Sequence, residues 1–167
     1  MQQLHIDEYE RRWLTISAVM LGVFFATLLA GAAIFGVTPA GQGGFVNPQH
    51  LNETEFANPG VRHMGENRYE VIIIGQAWSF SPSSITIPEG AEVTFRTTSR
   101  DIIHGFFIEH HNVSFEMIPG HVAETRVNFE EAGEFKILCS QYCGRAHHAM
   151  HATINVLPAE EFVASAE

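Results

Sequence analysis

The feature that most constrains this chain is an uncharged apolar run over residues 14–37. As an α-helix rising ~1.5 Å per residue, the run would span about 36 Å, which is enough to cross the ~30 Å hydrocarbon core of a bilayer. Trp13 lies at its start, Arg11 and Arg12 precede it, and no comparable basic pair follows it. The positive-inside rule therefore predicts that residues 1–13 are cytoplasmic and that the remainder of the chain lies outside.

A cleaved signal peptide is the alternative interpretation of this run, with residues 38–40 as a loose cleavage site. The run is longer than the ~7–15 apolar residues of a signal core. The leader also carries three acidic residues, Asp7, Glu8 and Glu10, where a signal peptide would be basic. We therefore predict an uncleaved, single-pass anchor in contact with membrane lipid.

Beyond residue 68 the sequence has the pattern of an all-β domain. Short β-rich runs recur between turn signals such as Pro88-Glu89-Gly90 and Ile118-Pro119-Gly120, at residues 69–74, 84–87, 92–97, 103–109, 113–117, 124–129, 134–138 and 152–156. This spacing favours a sandwich or barrel over βαβ units, and about 90 residues suffice for one sandwich. The predicted fold class is therefore an all-β sandwich or barrel with one N-terminal transmembrane α-helix.

The sequence predicts five segments. They are a cytoplasmic N-terminus (1–13), a transmembrane helix (14–37), a linker rich in Gly, Pro, Asn and Gln (38–68), the β domain (69–157) and a briefly helical C-terminal tail (158–167). The few apolar residues of the linker are expected along the membrane surface or a partner subunit.

Charge and cysteine content exclude several classes of protein. With 19 Asp and Glu against 9 Lys and Arg, the net charge is −10, and phosphate neutralisation by a nucleic-acid-binding protein needs a basic face. Two cysteines are too few for a disulfide framework or a four-cysteine metal cage. The acidic surface could steer a basic partner or could simply be solvated, and the sequence leaves both interpretations open.

The reactive side chains are concentrated in one loop between the last two predicted strands. Cys139, Cys143, His147 and Met150 lie within this loop, and His104 lies near the start of an earlier strand. Thiols, imidazoles and thioethers select copper over magnesium or calcium. One cysteine would suggest a mononuclear blue-copper site, whereas two thiolates can bridge two metals. The cysteine count therefore favours a dinuclear site.

The pattern Cys139-x3-Cys143-x3-His147-x2-Met150, with His104 35 residues before the first cysteine, resembles the CuA motif of the cytochrome c oxidase subunit 2 family. The resemblance covers residues 69–156 as a cupredoxin domain and extends to the N-terminal anchor. The single anchor and the sequence Cys-Ser-Gln-Tyr-Cys are most similar to the B-family, ba-type haem-copper oxidases.

This resemblance implies a ligand set for two copper ions, with both cysteines bridging them. His104 and Met150 would complete one copper, and His147 and the backbone carbonyl of Gln141 would complete the other. Many A-family subunits have a glutamate between the cysteines that contributes to a magnesium site. Gln141 is neutral, so we do not extend that magnesium to this chain. His148 and His151 could be ligands by chemistry alone, but the spacing favours His147.

The resemblance also implies a function, that of subunit 2 of a terminal cytochrome c oxidase. Electrons would arrive from cytochrome c or a similar soluble donor outside the cell membrane and leave to a haem of catalytic subunit 1. Oxygen reduction to water and proton translocation would occur in that subunit, so no catalytic residue is assigned here. Trp78 and Phe80 lie where the family has aromatics near copper and are predicted to serve electron uptake, although Trp78 could equally be a core aromatic.

Three alternatives remain open at this stage. A nitric oxide reductase could carry the same copper domain. A membrane-anchored copper chaperone or thiol oxidoreductase could use the cysteine pair, although thiol oxidoreductases usually show βαβ units and a two-residue cysteine spacing. A structural zinc site is chemically possible with two cysteines and two histidines, but it leaves Met150 unexplained.

Overall fold

The computed structural model describes residues 7–35 and 41–165. Residues 1–6, 36–40 and 166–167, which include parts of the predicted N-terminal segment, span, linker and tail, lie outside this description. The helices and strands are α1 (Glu8–Phe35), β1 (Gly41–Phe45), β2 (Gly60–Gly65), β3 (Arg68–Gln76), β4 (Ser79–Ser81), β5 (Ser84–Pro88), β6 (Ala91–Ser99), β7 (His104–Ile108), β8 (Val113–Met117), β9 (His121–Phe129), β10 (Gly133–Leu138), β11 (His151–Leu157) and α2 (Ala159–Ser165).

Helix α1 begins before the apolar run, at Glu8. The carboxylate of Asp7 accepts hydrogen bonds from the backbone N–H groups of Tyr9 (2.7 Å) and Glu10 (3.0 Å), which caps the first turn. The acidic side chains of that turn also complement the positive end of the helix dipole. The helix is long and apolar enough to cross a membrane, and its large side chains are exposed, with Phe24 at 62%.

The β domain consists of two sheets, which confirms the predicted all-β architecture with one N-terminal apolar helix. The first sheet has the order β1-β9-β6-β3-β2, with β4 paired to β3, and the second has the order β5-β11-β10-β7-β8. Two neighbouring pairs are parallel, β3 with β6 and β5 with β11, and the remaining pairs are antiparallel. Neighbours that are distant in sequence therefore bring distant loops together at the ends of the strands.

Strand β3 is buried on both faces, which explains its continuous apolar run. Val71 and Ile73 belong to the main core, together with Phe95 of β6. Ile72 and Ile74 belong to a second, smaller cluster with Leu51, Phe56 and Val122. A strand covered on both faces reads as an unbroken hydrophobic run rather than an alternating one.

Much of the segment predicted as a linker packs against this sheet. Within residues 41–65, β1 pairs with β9 and β2 pairs with β3, and two 3₁₀ turns connect them at Leu51–Glu53 and Glu55–Ala57. Leu51 and Phe56 are buried, so these apolar residues cover the second face of β3. Local composition predicted a loop here, because the residues that bury Leu51 and Phe56 lie far along the chain.

Arg96 of β6 attaches this segment to the sheet. Its guanidinium donates to both carboxylate oxygens of Glu55 (2.7 and 3.0 Å) and to Glu124 (2.6 Å). It also donates to the carbonyl of Gly43 at 3.3 Å and lies 3.9 Å from Glu70. One partly buried cation thus joins β1, the second 3₁₀ turn, β3, β6 and β9.

We expect Arg96→Met to lower the free energy of unfolding by about 1–3 kcal/mol, because it leaves carboxylates without their charged donor. Arg68→Met is the matched control, since Arg68 makes only an exposed 3.7 Å ion pair with Glu66. Such a pair contributes about 0–1 kcal/mol. Urea denaturation of both variants checks the prediction, and equal midpoints would contradict it.

Candidate metal centre

The sequence-predicted ligands meet at one end of the β domain. Strands β10 and β11 form a hairpin whose last pair is Leu138 with His151, and the loop between them begins at Cys139 and ends at Met150. A hydrogen bond from the backbone N–H of Cys139 to the carbonyl of Met150 (3.2 Å) closes this loop. His104 begins β7, the neighbour of β10, so its side chain lies beside the loop.

Two free thiols form the centre of the site. The Sγ atoms of Cys139 and Cys143 are 3.7 Å apart. The Nδ1 atom of His104 lies 4.0 Å from Cys139 Sγ, and the Nδ1 atom of His147 lies 3.6 Å from Cys143 Sγ. The Sδ atom of Met150 is 3.6 Å from Cys143 Sγ. Among the described residues, each thiol of the pair therefore has an imidazole beside it, and Cys143 also has the Met150 thioether.

The backbone carbonyl of Gln141 also faces this pair. It accepts a hydrogen bond from the Cys139 thiol at 3.2 Å. The Gln141 side chain points elsewhere, because its amide donates to the carboxylate of Glu116 on β8 at 2.8 Å. The structure therefore brings together all six sequence-predicted ligands, with Gln141 contributing main-chain oxygen only.

Burial controls the chemistry of these thiols. His104 is fully buried, and Cys139, Cys143 and Met150 are at most 8% exposed. Burial, with a further contribution from the neighbouring Cys139 sulfur, raises the pKa of Cys143 to about 11. A metal that binds here as a thiolate complex must therefore displace a proton.

Asp101 orients His104, and sequence reasoning missed it. The Asp101 carboxylate is 2.9 Å from His104 Nε2, which leaves Nδ1 facing Cys139. Asp101 also accepts from the backbone N–H groups of Ala77 and Ile102, both at 2.7 Å. Burial alone would raise the pKa of Asp101, but the hydrogen bonds from Ala77, His104 and Ile102 outweigh it and hold the pKa below its usual value. An aspartate three residues before a candidate histidine was the available signal.

Trp78, in the turn between β3 and β4, is hydrogen-bonded to the cysteine loop. Its indole N–H donates to the carbonyl of Cys143 at 2.9 Å, although 43% of the residue remains exposed. Phe80 is buried in the main core, where it packs edge-to-face against Phe106. Of the two aromatics predicted to serve electron uptake, only Trp78 therefore reaches the surface.

The other two histidines of the loop lie outside the sulfur cluster. His148 and His151 are exposed, and the Nδ1 atom of His151 is 3.0 Å from the carbonyl of Ala149. In the described parts of the chain, the one group of three His, Cys, Asp or Glu residues with all ligand atoms within 4.8 Å is His104 with Cys139 and Cys143.

The fold and the donor set together define a class, that of a β-sandwich domain with a buried, soft-ligand metal site. Residues 77–157 match the family described as cytochrome c oxidase subunit II, periplasmic domain. A cytochrome c oxidase subunit 2 of Thermus thermophilus is 40% identical over 153 residues, covering 89% of this chain and 91% of that protein. A second Thermus thermophilus cytochrome c oxidase subunit 2 is 41% identical over 124 residues, covering 72% of this chain and 92% of that protein. This chain belongs to the cytochrome c oxidase subunit 2 family.

Solved structures agree with this assignment. A chain of a heme-copper terminal oxidase dimer, determined by cryo-EM, aligns with a TM-score of 0.74 at 30% identity, covering 89% of this chain and 99% of that one. The periplasmic domain of subunit II of cytochrome oxidase from Bradyrhizobium japonicum shares the fold, with a TM-score of 0.53 at 22% identity, covering 57% of this chain and 88% of that one. The cupredoxin-like fold is thereby confirmed. With one candidate span among the described residues, the chain has the features of a single-pass membrane protein.

Proposed function

We propose that this chain is the electron-accepting subunit of a heme-copper terminal oxidase. It takes electrons from cytochrome c or a similar soluble donor and passes them to a haem of the catalytic subunit, where oxygen is reduced to water and protons are translocated. The observation that carries the proposal is the pair of buried, free Sγ atoms 3.7 Å apart, with an imidazole beside each. The relatives named above are subunits of such oxidases.

The donor set fits two copper ions. Cys139 and Cys143 would bridge them, His104 and Met150 would complete one, and His147 with the Gln141 carbonyl would complete the other. When bound, the thiolate-bridged pair supplies a one-electron carrier that shares its charge over two metals. No acid, base or nucleophile is required of the protein, so we assign no catalytic residue.

The role of the protein is to fix the positions of these ligands. The cysteine loop is fixed at both ends by the β10–β11 hairpin, and His104 is fixed by Asp101 on one side and by β7 on the other. Rigid ligands keep the rearrangement on electron transfer small, and outer hydrogen bonds set the basicity of the ligands.

The burial of both thiols argues against a thiol oxidoreductase, whose reactive cysteine is partly exposed. Redox-active cysteines have lowered pKa values, because the thiolate is the nucleophile. Here burial raises the pKa of Cys143 to about 11. A copper chaperone is also disfavoured, because transfer needs accessible ligands, whereas His104, both thiols and Met150 are buried.

Loops around the site offer an apolar surface for the donor. Trp78, Ile102 and Ile103 are each about 43–45% exposed, and Tyr142 is 81% exposed. Hydrogen bonds from Ala77 to Asp101 and from Trp78 to Cys143 join the loops that carry these residues. Phe80 stays a predicted contributor to electron uptake from within the core.

The membrane arrangement is part of the same proposal. Residues 1–13 are cytoplasmic, residues 14–37 cross the cell membrane in contact with lipid, and the copper domain lies on the periplasmic or extracellular side. The domain limits at residues 38–68, 69–157 and 158–167 remain predictions. The basic pair Arg11 and Arg12 at the start of the helix supports this orientation.

Metal analysis and EPR of the copper-loaded full chain in detergent test the proposal. We expect two coppers per chain and a spectrum in which one unpaired electron is shared by both nuclei. One copper with a mononuclear spectrum, or zinc alone, would overturn it.

Trp78→Ala should slow electron uptake from reduced cytochrome c by about ten-fold or more in the assembled oxidase. The indole is an exposed group that donates a hydrogen bond to the carbonyl of a proposed ligand residue, Cys143. Copper content and EPR should be unchanged, because the indole is not a ligand. Stopped-flow kinetics measure the rate, with Phe45→Ala as the control because Phe45 is an exposed aromatic (77%) that makes its ring contact with His121. An unaltered rate in Trp78→Ala would reject the assignment.

A further inference from the structure

The cysteine loop crosses over strand β7 at a glycine. Strand β10 pairs with β7 through Ile137 with Ile108 and Leu138 with Phe107, and the cysteine loop begins directly after this pairing, at Cys139. Gly105 is itself paired with Glu116 of β8. The Gln141 side chain donates a hydrogen bond to that same glutamate, so the loop lies over β7 at Gly105 and reaches β8 through this side chain.

Gly105 has no conformational reason to be glycine. Its φ is not in the left-handed region, so any L-residue could adopt its backbone conformation. The obstacle to a side chain at this position is the lack of space. A Cβ atom at this position would lie 2.5 Å from the backbone nitrogens of both Ser140 and Gln141, and would also meet Ser140 Oγ. Backbone atoms cannot rotate away, so a side chain here would displace the loop between the two cysteines.

Gly75 of β3, in the other sheet, lies directly beside the His104 ring. A Cβ atom there would lie 3.2 Å from His104 Cδ2, and also 3.2 Å from the methyl carbon of Met117. Its φ also lies outside the left-handed region. Because side chains alternate along a strand, His104 points into the core towards Gly75, and Gly105 faces the opposite side of β7. The two glycines thus lie on either side of the point where His104 meets the cysteine loop.

We propose that Gly105 and Gly75 are positioning residues of the metal centre. Gly105 sets how closely the backbone of residues 140–141 lies against β7, and Gly75 sets the depth of the His104 imidazole. Together they determine the 4.0 Å separation of His104 Nδ1 and Cys139 Sγ. The inference rests on the proposed function, since it concerns how that centre is held.

The test compares Gly105→Ala and Gly75→Ala with the matched control Gly133→Ala, in the full chain in detergent. A Cβ atom at Gly133, at the start of β10, meets only the ring of Phe135 at 3.7 Å, an ordinary contact. For each variant we would measure copper per chain, the EPR spectrum, the rate of copper loss to EDTA and the thermal midpoint of the metal-free protein. Val127→Ala, a core truncation on β9 away from the loop, controls for general destabilisation.

For Gly105→Ala we expect copper loss to EDTA to be about ten-fold faster or more. We also expect an EPR spectrum in which the unpaired electron is no longer shared equally between two coppers. Gly75→Ala should retain two coppers with an altered spectrum, because the His104 ring and the flexible Met117 can shift by a few tenths of an ångström. Gly133→Ala and Val127→Ala should match the parent in both copper properties. Adding Ser140→Gly to Gly105→Ala should not restore the parent behaviour, since the backbone contacts remain.

The outcomes separate this inference from the proposed function. A parent chain that binds fewer than two coppers overturns the proposed function and this inference with it. A parent with two coppers, and Gly105→Ala and Gly75→Ala spectra identical to that of Gly133→Ala, overturns this inference alone. If Gly105→Ala does not fold, Gly75→Ala decides, because an unchanged spectrum there would show that the glycines do not position the ligands.

Discussion

Replacing Cys143 with serine is expected to abolish the proposed two-copper centre. The Sγ atom of Cys143 is the hub of the site, 3.7 Å from Cys139 Sγ and 3.6 Å from both His147 Nδ1 and Met150 Sδ. A serine hydroxyl nearly matches the thiol in shape but stays protonated, and it is a harder and weaker ligand for copper than a thiolate. Copper should fall from two per chain to at most one.

The functional loss should be large. Removing an outer hydrogen-bond partner of a metal ligand typically costs about 10–100-fold in affinity, and loss of a bridging ligand should exceed that range. Electron uptake from reduced cytochrome c should fall to background in the assembled oxidase. Metal analysis, EPR and stopped-flow kinetics of the variant measure these effects.

His148→Gln is the control for this experiment. His148 lies in the same loop and its imidazole could bind copper by chemistry alone, but it is exposed and His147 is the histidine beside Cys143. The variant should keep two coppers and the parent spectrum. A Cys143→Ser protein that still binds two coppers, or a His148→Gln protein that loses one, would show that the ligand set is wrong.

Most of the candidate site could be predicted because it is local in sequence. All of the proposed ligands except His104 lie within the span from Cys139 to Met150, and a hairpin loop of that length must bring them close together. His104 is 35 residues before Cys139 and was a candidate because a sandwich can bring the start of its strand beside the final loop, whereas its assignment to one of two coppers came from the resemblance. The structure supplies the physical reason, which is that β7 is hydrogen-bonded to the strand that leads into the loop.

What could not be predicted depends on contacts between distant segments. Asp101 is fixed by the backbone N–H of Ala77, and Gly105 matters because Ser140 crosses it. The packing of Leu51 and Phe56 onto β3 is of the same kind, because a Gly- and Pro-rich segment reads as a loop until a buried face is found for it. Local patterns identify strands and ligands, but they do not show which segment covers which.

Phe95→Ala should be strongly destabilising to the β domain. Phe95 is fully buried on β6 in the main core, with its ring 5.6 Å from that of Phe106 and 6.3 Å from that of Phe129. Truncating a buried phenylalanine costs about 3–5 kcal/mol, from lost transfer free energy and the cavity left behind. Typical domains have only about 5–15 kcal/mol of stability, so much of the total should be lost.

Urea denaturation followed by near-ultraviolet circular dichroism measures this loss, and Phe45→Ala is the matched control. The Phe45 ring is 77% exposed and makes an edge contact with His121, so its removal should cost less than about 1 kcal/mol. Equal midpoints for the two variants would show that Phe95 is not part of a close-packed core. Because Phe95 is not a proposed ligand, the folded fraction of Phe95→Ala should still bind two coppers. That result would separate the stability of the scaffold from the chemistry of the loop it supports.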